Sequence, residues 1–243
     1  MTRPDRLILV HGFTQTGHSW APIIERLGAG VETVAVDAPG HGDADRARGD
    51  LWTAAHEVAN AGGIVTYVGY SMGARIALHG ALADPSSVDR LVLISATAGI
   101  DDADERRERR HADEALADSI ERDGVADFLD RWLALPLFAG LSPDAAGRRD
   151  RLRNTPDGLA SSLRHHGTGG QEPLWDRLGA LTMPVLVVAG ANDPKFVALA
   201  RRLHERLANS ELAVVTGAGH TVHLERPGPF VALLAKFWSD HPI

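Results

Sequence analysis

The chain contains no cysteine, and none of its apolar runs approaches the length of a membrane span. The first absence excludes a disulfide framework, a thiolate nucleophile and any metal site built from cysteine. The second makes a membrane-spanning helix unexpected, since such a helix needs about 20 mostly apolar residues. The first segment, MTRPDRLILVHG, has only four consecutive apolar residues before His11, which is too few for the core of a signal peptide. We therefore expect a cytoplasmic protein.

Positively charged residues are fewer than negatively charged ones. The chain has 25 Lys and Arg residues and 32 Asp and Glu residues, which give a formal net charge of -7. This balance disfavours nucleic acid and anionic membranes as partners. A small anionic substrate is still compatible with it, since the local field in a cavity matters more than the total charge. The length of 243 residues, 44% of them hydrophobic and 23% charged, is typical of one α/β domain with a modest insertion.

Short apolar runs rich in Val, Ile and Leu recur along the chain without polar alternation. Such runs are typical of strands covered on both faces, as in a parallel sheet. Helical segments lie between most of them, and this alternation predicts a doubly wound α/β fold. We predict strands at 6–12, 31–40, 64–71, 90–96, 184–190 and 211–220, and helices at 18–27, 51–61, 72–83, 195–208 and 227–239.

One long interval, from about 100 to 175, has no strand-like run. It begins with the helical segment DDADERRERRHADEALADSIERDG, and further helical pieces follow near 124–134, 142–153 and 156–166. The pattern predicts a helical cap at 100–175 inserted into a core formed by 1–99 and 176–243. Open α/β sheets keep their sites at the carboxyl ends of their strands. We therefore expect the cap to lie over that edge.

The segment GYSMG at 69–73 matches G-x-S-x-G, follows a predicted strand and opens a predicted helix. That context is what the nucleophile motif requires, because the sharp turn strains the serine backbone and the glycines keep neighbouring atoms away. A serine hydroxyl is inert at neutral pH unless a base takes its proton. Ser71 is therefore the predicted reactive group.

In this fold the acid and the base follow the serine along the chain. Asp193 follows the strand PVLVVAG, and His220 ends the segment ELAVVTGAGH, so both lie at strand ends on the edge that holds Ser71. They are the predicted orienting carboxylate and base. Three other residues are weaker candidates for these roles. We expect a turn to carry His223 outward, His79 to pack within a helix and Asp37 to brace the APGHG turn.

An oxyanion needs two donors, and by analogy with the fold we expect the backbone N–H groups of Met72 and Phe13 to supply them. The sequence has no P-loop, no dinucleotide-binding glycine fingerprint and no H-E-x-x-H motif. The mixed His and carboxylate stretches at 41–50 and 110–118 lack ligand spacing. We expect no metal and no cofactor.

Arg75 follows Ser71 by four residues on the predicted helix, and helical side chains lean toward the N-terminus. It can therefore hold a carboxylate near Ser71 bidentately, or else pair with a carboxylate on the protein surface, and spacing alone does not choose between these roles. The predicted cap adds further candidates for a pocket lining, and the sequence alone does not decide among them. They are Arg106, Arg107, Arg109, Arg110, Trp132 and Arg153.

Taken together, these motifs resemble those of the 2-succinyl-6-hydroxy-2,4-cyclohexadiene-1-carboxylate (SHCHC) synthases of menaquinone biosynthesis, and the resemblance covers nearly the whole chain. The G-x-S-x-G turn and the final histidine occur across the α/β-hydrolase superfamily. Features particular to this family are Arg75, the cap arginines, Trp132 and the D-x-KF string. The matching segments are HGF (11–13), D-x-PGHG (37–42), GYSMGAR (69–75), ERRERRHAD (105–113), W…P-x-F (132–138), Arg153 before a polar turn, G-x-x-D-x-KF (190–196) and GAGH-x-x-H-x-E-x-P (217–227).

The resemblance implies Ser71, Asp193 and His220 as the triad of an α/β-hydrolase fold with about six strands, all parallel. It implies that Arg75, Arg109 and Arg153 bind carboxylates, that Trp132 and Tyr70 line the pocket, and that Lys195 assists. Two departures are Ala74, where the family commonly has a second glycine, and the DAD string after PGHG. They leave the catalytic groups in place and affect the fine shape of the pocket.

The implied reaction eliminates pyruvate from 5-enolpyruvoyl-6-hydroxy-2-succinyl-cyclohex-3-ene-1-carboxylate. This polycarboxylate would be the small-molecule partner of a monomer or weak homo-oligomer. An alternative is a serine hydrolase on a small acidic substrate, namely a carboxylesterase, thioesterase or carbon–carbon bond hydrolase. A non-catalytic binding module is a second alternative, which the intact Ser, His and Asp set disfavours.

Overall fold

The computed structural model describes residues 6–60 and 64–242. The predicted end of the second helix at position 61, and the two ends of the predicted core at 1–5 and 243, lie outside these residues. Within them, no helix is both long and apolar enough to cross a bilayer.

Six strands form one parallel sheet in the order β2-β1-β3-β4-β5-β6. This confirms the predicted fold class and strand number. Each apolar run yields one strand, and the polar ends of the longer predicted segments form the loops that follow. The strands are β1 (Arg6–Val10), β2 (Glu32–Val36), β3 (Val65–Tyr70), β4 (Val88–Ile94), β5 (Val185–Gly190) and β6 (Ser210–Val215).

Helices cover both faces of the sheet, which explains the lack of polar alternation in its central strands. In β1, Ile8 and Val10 pack into the core on one face, and Leu7 and Leu9 into the core on the other. The helices of the core are α1 (Ala21–Leu27), α2 (Leu51–Ala59), α3 (Met72–Ala83), α8 (Pro194–Arg206), α9 (Val222–Glu225) and α10 (Pro227–Asp240).

A helical insert joins β4 to β5, as predicted. It comprises α4 (Ala103–Leu133), α5 (Pro143–Ala146), α6 (Arg148–Arg151) and α7 (Pro156–His166). The helix α4 bends at Gly124, whose φ of 80° and ψ of 168° are not helical. The insert has its own apolar cluster between α4 and α7, which includes Ile120, Phe128 and Leu159. Beside that cluster, Arg164 of α7 forms ion pairs with three carboxylates of α4.

Short 3₁₀ turns complete the connections at Gly17–Trp20, Gly42–Ala44, Pro85–Ser87, Pro136–Phe138 and Trp175–Ala180. The loops after β1, β3, β4, β5 and β6 all leave the sheet at its carboxyl edge, because the strands are parallel. Polar residues in five separate segments of the chain are thereby brought to one place.

Candidate active site

Ser71 occupies the turn between β3 and α3 with φ 52° and ψ -108°, in the left-handed half of conformational space. Its N–H donates to the carbonyl oxygen of Ile94 at 2.9 Å, which ties the turn to β4. A Cβ on Gly69 or Gly73 would overlap neighbouring backbone atoms, so glycine is required on both sides. The strained turn presents the serine hydroxyl above the carboxyl edge of the sheet.

A hydrogen-bond chain runs from Ser71 to a carboxylate. His220 Nε2 lies 3.2 Å from Ser71 Oγ, and His220 Nδ1 lies 2.9 Å from Asp193 Oδ2. Burial raises the pKa of the Asp193 carboxyl, but hydrogen bonds from His220 and the Phe196 N–H outweigh burial and lower it below its usual value. An ionised Asp193 favours a proton on His220 Nδ1, which leaves Nε2 free to accept the proton of Ser71.

The backbone around His220 is held from both sides. Glu225 accepts hydrogen bonds from the N–H of Gly219 at 2.6 Å and the N–H of Thr221 at 2.9 Å. Ser95, with φ 49°, donates its hydroxyl to the carbonyl oxygen of His220 at 2.6 Å. Three contacts therefore fix the height of the imidazole above the sheet.

The loop after β1 carries the predicted second oxyanion donor, Phe13, which lines the same cavity as Ser71. Two buried histidines shape this loop: His41 Nε2 accepts the N–H of Thr14 at 3.2 Å, and His11 Nε2 accepts the N–H of Ala38 at 3.0 Å. Burial lowers the pKa of both histidines, so both are neutral acceptors. Residues 11–14 are therefore held in place by the HG and PGHG motifs together.

Met72, the other predicted oxyanion donor, is the first residue of α3. An N–H in the first turn of a helix has no intrahelical acceptor, and it lies at the positive end of the helix dipole. Such a donor, beside the serine hydroxyl, can stabilise a developing oxyanion.

A cavity of about 330 Å³ opens above Ser71. Core and insert both contribute to its wall, which confirms that the insert lies over the carboxyl edge. Its lining combines hydrocarbon and aromatic surface with basic groups from four helices. Among the predicted substrate-binding residues it includes Tyr70, Arg75, Arg109, Trp132 and Lys195.

Arg75 is only 7% exposed, and its Nη1 donates to Gln171 Oε1 at 3.2 Å. Within the described ranges it forms no ion pair with a carboxylate. Burial and the neighbouring Arg109 lower its pKa to about 10, which still leaves it charged at neutral pH. A buried guanidinium without a carboxylate partner is energetically costly unless a ligand supplies one. This geometry favours the inward, carboxylate-binding role over the surface role.

Two insert residues complete this side of the cavity. Arg109 of α4 borders the cavity, and its Nε donates to Asp113 at 2.8 Å, which fixes the guanidinium. The indole of Trp132 packs edge-on to Phe13 with centroids 5.5 Å apart. Its Nε1 is buried and has no hydrogen-bond partner in the described part of the chain.

The structure corrects the prediction for Arg153. Its side chain lies outside the cavity and contacts Asp43, Asp150 and His18 at the surface. Arg151 lines the cavity instead, is 2% exposed and donates to Thr14 Oγ1. Two residues along a helical turn rotate a side chain by about 200°, so a shift of two positions exchanges the buried and exposed faces.

Two of the three weaker candidates lie where expected. Asp37 braces its turn by accepting the N–H groups of Gly17 and Asp43, and His79 packs within α3 with Nδ1 on the carbonyl of Arg75. His223 does not point outward as predicted. It is fully buried and stacks on Trp20 with centroids 4.4 Å apart, because α9 turns it back into the core.

Several further residues that line the cavity were not predicted from the sequence. Phe196 packs edge-on to His220 at 4.3 Å, and Ser162, His166 and Thr168 of the insert border the cavity. Burial lowers the pKa of His166 to about 4, so it is neutral. Only Phe196 had a signal, the KF string after Asp193. Among residues 6–60 and 64–242, no three His, Asp or Glu side chains are grouped as metal ligands would be.

A strained serine on a strand–helix turn, with histidine and aspartate from the last two strands, defines a class of protein. Residues 7–233 match the sequence profile of the alpha/beta hydrolase family, and the chain belongs to that family. Within it, the chain groups with the SHCHC synthases. It is 32% identical to the SHCHC synthase of Serratia proteamaculans, over 95% of this chain and 92% of that protein.

Other comparisons agree with this placement. A Bacillus subtilis protein described as a candidate SHCHC synthase is 37% identical over 97% of this chain and 91% of its own length. The solved structure of MenH from S. aureus matches with a TM-score of 0.93 and 28% identity, covering 100% of this chain and 96% of that one. A thermophilic esterase from Thermogutta terrifontis matches with a TM-score of 0.84 at 21% identity, which shows the shared fold alone.

Proposed function

We propose that this protein is an SHCHC synthase, a lyase that eliminates pyruvate from 5-enolpyruvoyl-6-hydroxy-2-succinyl-cyclohex-3-ene-1-carboxylate. One observation carries the proposal: Arg75, Arg109 and Arg151 come from three helices and border the cavity above Ser71. A neutral ester has no use for three guanidinium groups, whereas the substrate named here carries three carboxylates. The named relatives support the same assignment over nearly the full chain.

In the proposed mechanism Ser71 acts as a base. His220, oriented by Asp193, draws the serine proton, and the serine oxygen removes the ring proton on the carbon that bears the succinyl group. Negative charge then grows on the succinyl carbonyl oxygen, where the N–H groups of Met72 and Phe13 stabilise it. The ring double bond shifts, the carbon–oxygen bond to the enolpyruvyl group breaks, and protonation of the leaving enolate gives pyruvate. No acyl-enzyme forms.

The arginines position the ring for that proton transfer. Arg75 and Arg109 border the same cavity and are close enough to interact electrostatically, so that one carboxylate can bridge a buried and a half-exposed cation. Arg151 donates a hydrogen bond to Thr14 and therefore lies beside the loop after β1, which carries the predicted oxyanion donor Phe13. Lys195 borders the cavity next to the triad carboxylate and adds a further positive charge. Aromatic rings of Phe13 and Trp132 cover the ring and exclude water.

We further propose a compartment, an oligomeric state and a division into core and cap for this enzyme. A triply charged substrate does not cross a bilayer, so an enzyme that consumes it belongs in the compartment where it is made, which we take to be the cytoplasm. We also propose a monomer or weak homo-oligomer, with a core of 1–99 and 176–243 and a cap of 100–175, which sedimentation and limited proteolysis would test.

The test is pyruvate release from the enolpyruvyl substrate by the purified protein. We expect turnover, and a fall in kcat of about a hundredfold to ten-thousandfold in the variant Ser71→Ala, because that is the usual effect of losing a positioned base. Retention of most of the rate in Ser71→Ala would exclude serine as the base. Absence of pyruvate, together with a burst and a trapped acyl-Ser71 on activated esters, would favour the hydrolase alternative.

A further inference from the structure

Gln171 lies in the loop that follows α7 and contacts the guanidinium of Arg75. Its Oε1 accepts a hydrogen bond from Arg75 Nη1 at 3.2 Å, and this is the one hydrogen bond of the Arg75 side chain within residues 6–60 and 64–242. Both side chains are buried, with 2% of Gln171 and 7% of Arg75 exposed. Because an amide oxygen is a neutral acceptor, the bond orients the cation and leaves its charge uncompensated.

The loop around Gln171 is fixed on both sides. Before it, the carbonyl oxygen of Gly169 accepts hydrogen bonds from Arg110 of α4 at 3.2 and 3.3 Å. A Cβ on Gly169 would lie 2.3 Å from the backbone nitrogen of Arg110, so the loop packs directly on α4. After it, the N–H of Leu174 donates to the carbonyl oxygen of Ala98 at 2.7 Å. Gln171 is therefore held in place by contacts that do not involve Arg75.

The second arginine on this side of the cavity has a different kind of partner. Arg109 forms an ion pair with the carboxylate of Asp113 at 2.8 Å. These two groups are near enough to Arg75 to shift its pKa in opposite directions, Arg109 downward and Asp113 upward. Two guanidinium groups and one carboxylate leave one uncompensated positive charge, which matches one carboxylate of a ligand. A glutamate at position 171 would cancel that charge.

We propose that Gln171 is a positioning residue that also determines specificity: its neutral amide fixes Arg75 at the cavity wall and keeps the positive charge free for a substrate carboxylate. A carboxylate at this position would pair with the guanidinium from inside the protein and compete with the substrate. It would also relieve a buried charge, so the glutamine is the less stable and more active choice. The kinetic test of this inference rests on the proposed function; the binding test below does not.

Two variants separate charge from packing. Gln171→Glu keeps the acceptor oxygen and adds a negative charge, whereas Gln171→Met keeps the length of the side chain and loses the acceptor. We expect Gln171→Glu to lower kcat/KM for pyruvate release about ten- to a hundredfold, chiefly through KM, and to raise Tm by roughly 2–4 °C. Gln171→Met should lower kcat/KM about two- to tenfold and lower Tm.

The two orders of effect are what distinguish this role from a structural one. A glutamine that only fills space would tolerate neither change, and the buried carboxylate would be the more damaging to stability. A Tm of Gln171→Glu below that of the parent protein, or a kcat/KM of Gln171→Met below that of Gln171→Glu, therefore overturns the proposal.

A double-mutant cycle with Arg75 decides the matter even if Gln171→Glu does not fold. Because Gln171 acts through Arg75, Arg75→Met and the double variant Arg75→Met/Gln171→Met should have values of kcat/KM within about twofold of each other. Losses that simply multiply would place the action of Gln171 elsewhere and contradict the proposal.

Succinate, a small dicarboxylate, measures the free charge without turnover. It should raise the Tm of the parent protein saturably, as a ligand of the folded state does, and leave the Tm of Gln171→Glu nearly unchanged. Equal shifts in the two proteins, or no shift in the parent, would overturn the proposal. A succinate response that Gln171→Glu abolishes, in a parent protein that releases no pyruvate, would refute the proposed function and leave the role of Gln171 intact.

Discussion

Arg151 and Arg153 are two positions apart, and their guanidinium groups have opposite environments. Arg151 is buried at the wall of the catalytic cavity, where burial lowers its pKa to about 10, and Arg153 is exposed among carboxylates. We expect Arg151→Ala to lower kcat/KM for pyruvate release about ten- to a hundredfold, the effect of one lost charge-assisted hydrogen bond of ~1.5–3 kcal/mol. Arg153→Ala is the matched control and should stay within about twofold. The reverse order of effects would restore Arg153 to the site.

Glu225 holds the backbone on both sides of His220 without bordering the catalytic cavity. Its two oxygens accept the N–H groups on either side of His220, and a glutamine can satisfy only one of them. We expect Glu225→Gln to lower kcat about tenfold with KM nearly unchanged, and to slow the labelling of Ser71 by an organophosphonate to a similar extent. Glu211→Gln, at a surface pair with His241, is the control. Normal labelling of Ser71 in Glu225→Gln would mean that Glu225 only supports the fold.

The positions of side chains in the site were predictable from the sequence where the backbone topology alone determines them. Ser71, Asp193 and His220 follow strands of a parallel sheet, so their meeting at one edge follows from topology. Arg153 was placed wrongly because the phase of a one-turn helix is not visible in a segment with four arginines from 148 to 153. The inward position of His223 depends on its stacking with Trp20, a contact between residues some 200 positions apart, which no local pattern contains.

At the scale of elements, α4 shows how one glycine shapes the insert. The sequence predicted two helical pieces that meet at position 124, and the structure joins them across a kink there. Gly124 has φ 80° and ψ 168°, and a Cβ at this position would meet no atom within 4 Å. The requirement for glycine is therefore set by the backbone and not by packing, and the bend allows both halves of α4 to border α7.

Because the requirement for glycine at position 124 comes from the backbone conformation and not from packing, the effect of a substitution on stability can be predicted. Gly124→Ala should destabilise the protein by about 1–3 kcal/mol, the usual cost of a strained backbone, and lower Tm by roughly 2–12 °C. Gly179→Ala is the control, because a Cβ there is equally free of contacts and the backbone has no positive φ. It should be neutral or slightly stabilising. Equal melting temperatures for the two variants in calorimetry would contradict a conformational requirement at Gly124.

The presence and order of the strands and helices were easier to predict from the sequence than the positions of single side chains. Six apolar runs gave six strands, since a strand covered on both faces has no polar positions to confuse the pattern. The resemblance to the SHCHC synthases, which rested on motifs between those strands, is confirmed by relatives over nearly the full chain. The short helices α5 and α6 were merged in the prediction, because the left-handed glycine between them, Gly147, is one residue in a polar segment.

At the scale of the whole molecule, buried histidines set the response to acid. Five of them have a lowered pKa, chiefly through burial, and the values for His79, His166 and His223 are about 4, 4 and 3. The others are His11 and His41. Below pH 6.5 the unfolded chain binds protons at these positions and the folded protein does not. Stability is therefore complete above about pH 6.5 and falls as the pH drops toward 4.

His223 allows this response to be measured for one residue. Neither of its ring nitrogens has a hydrogen-bond partner in the described ranges, so His223→Phe keeps the stack on Trp20 and loses no polar contact. We expect the slope of unfolding free energy against pH between 6.5 and 4 to become shallower, by up to ~1.4 kcal/mol per pH unit. Urea denaturation of both proteins across this range is the measurement. Parallel curves would show that His223 does not take part.

Thr14, Ser71 and Ser95 are the non-glycine residues with positive φ in the part of the chain the structure describes. Ser71 is the predicted reactive residue, Ser95 bonds to the carbonyl of His220, and Thr14 follows the predicted oxyanion donor Phe13. Each such conformation costs ~1–3 kcal/mol, against a total stability of about 5–15 kcal/mol for an average domain. Selection for folding alone would drive these positions toward glycine over evolutionary time. We therefore expect lineages that keep Thr and Ser here to be those in which the chemistry is still under selection, and drift to glycine to mark descendants that have lost it.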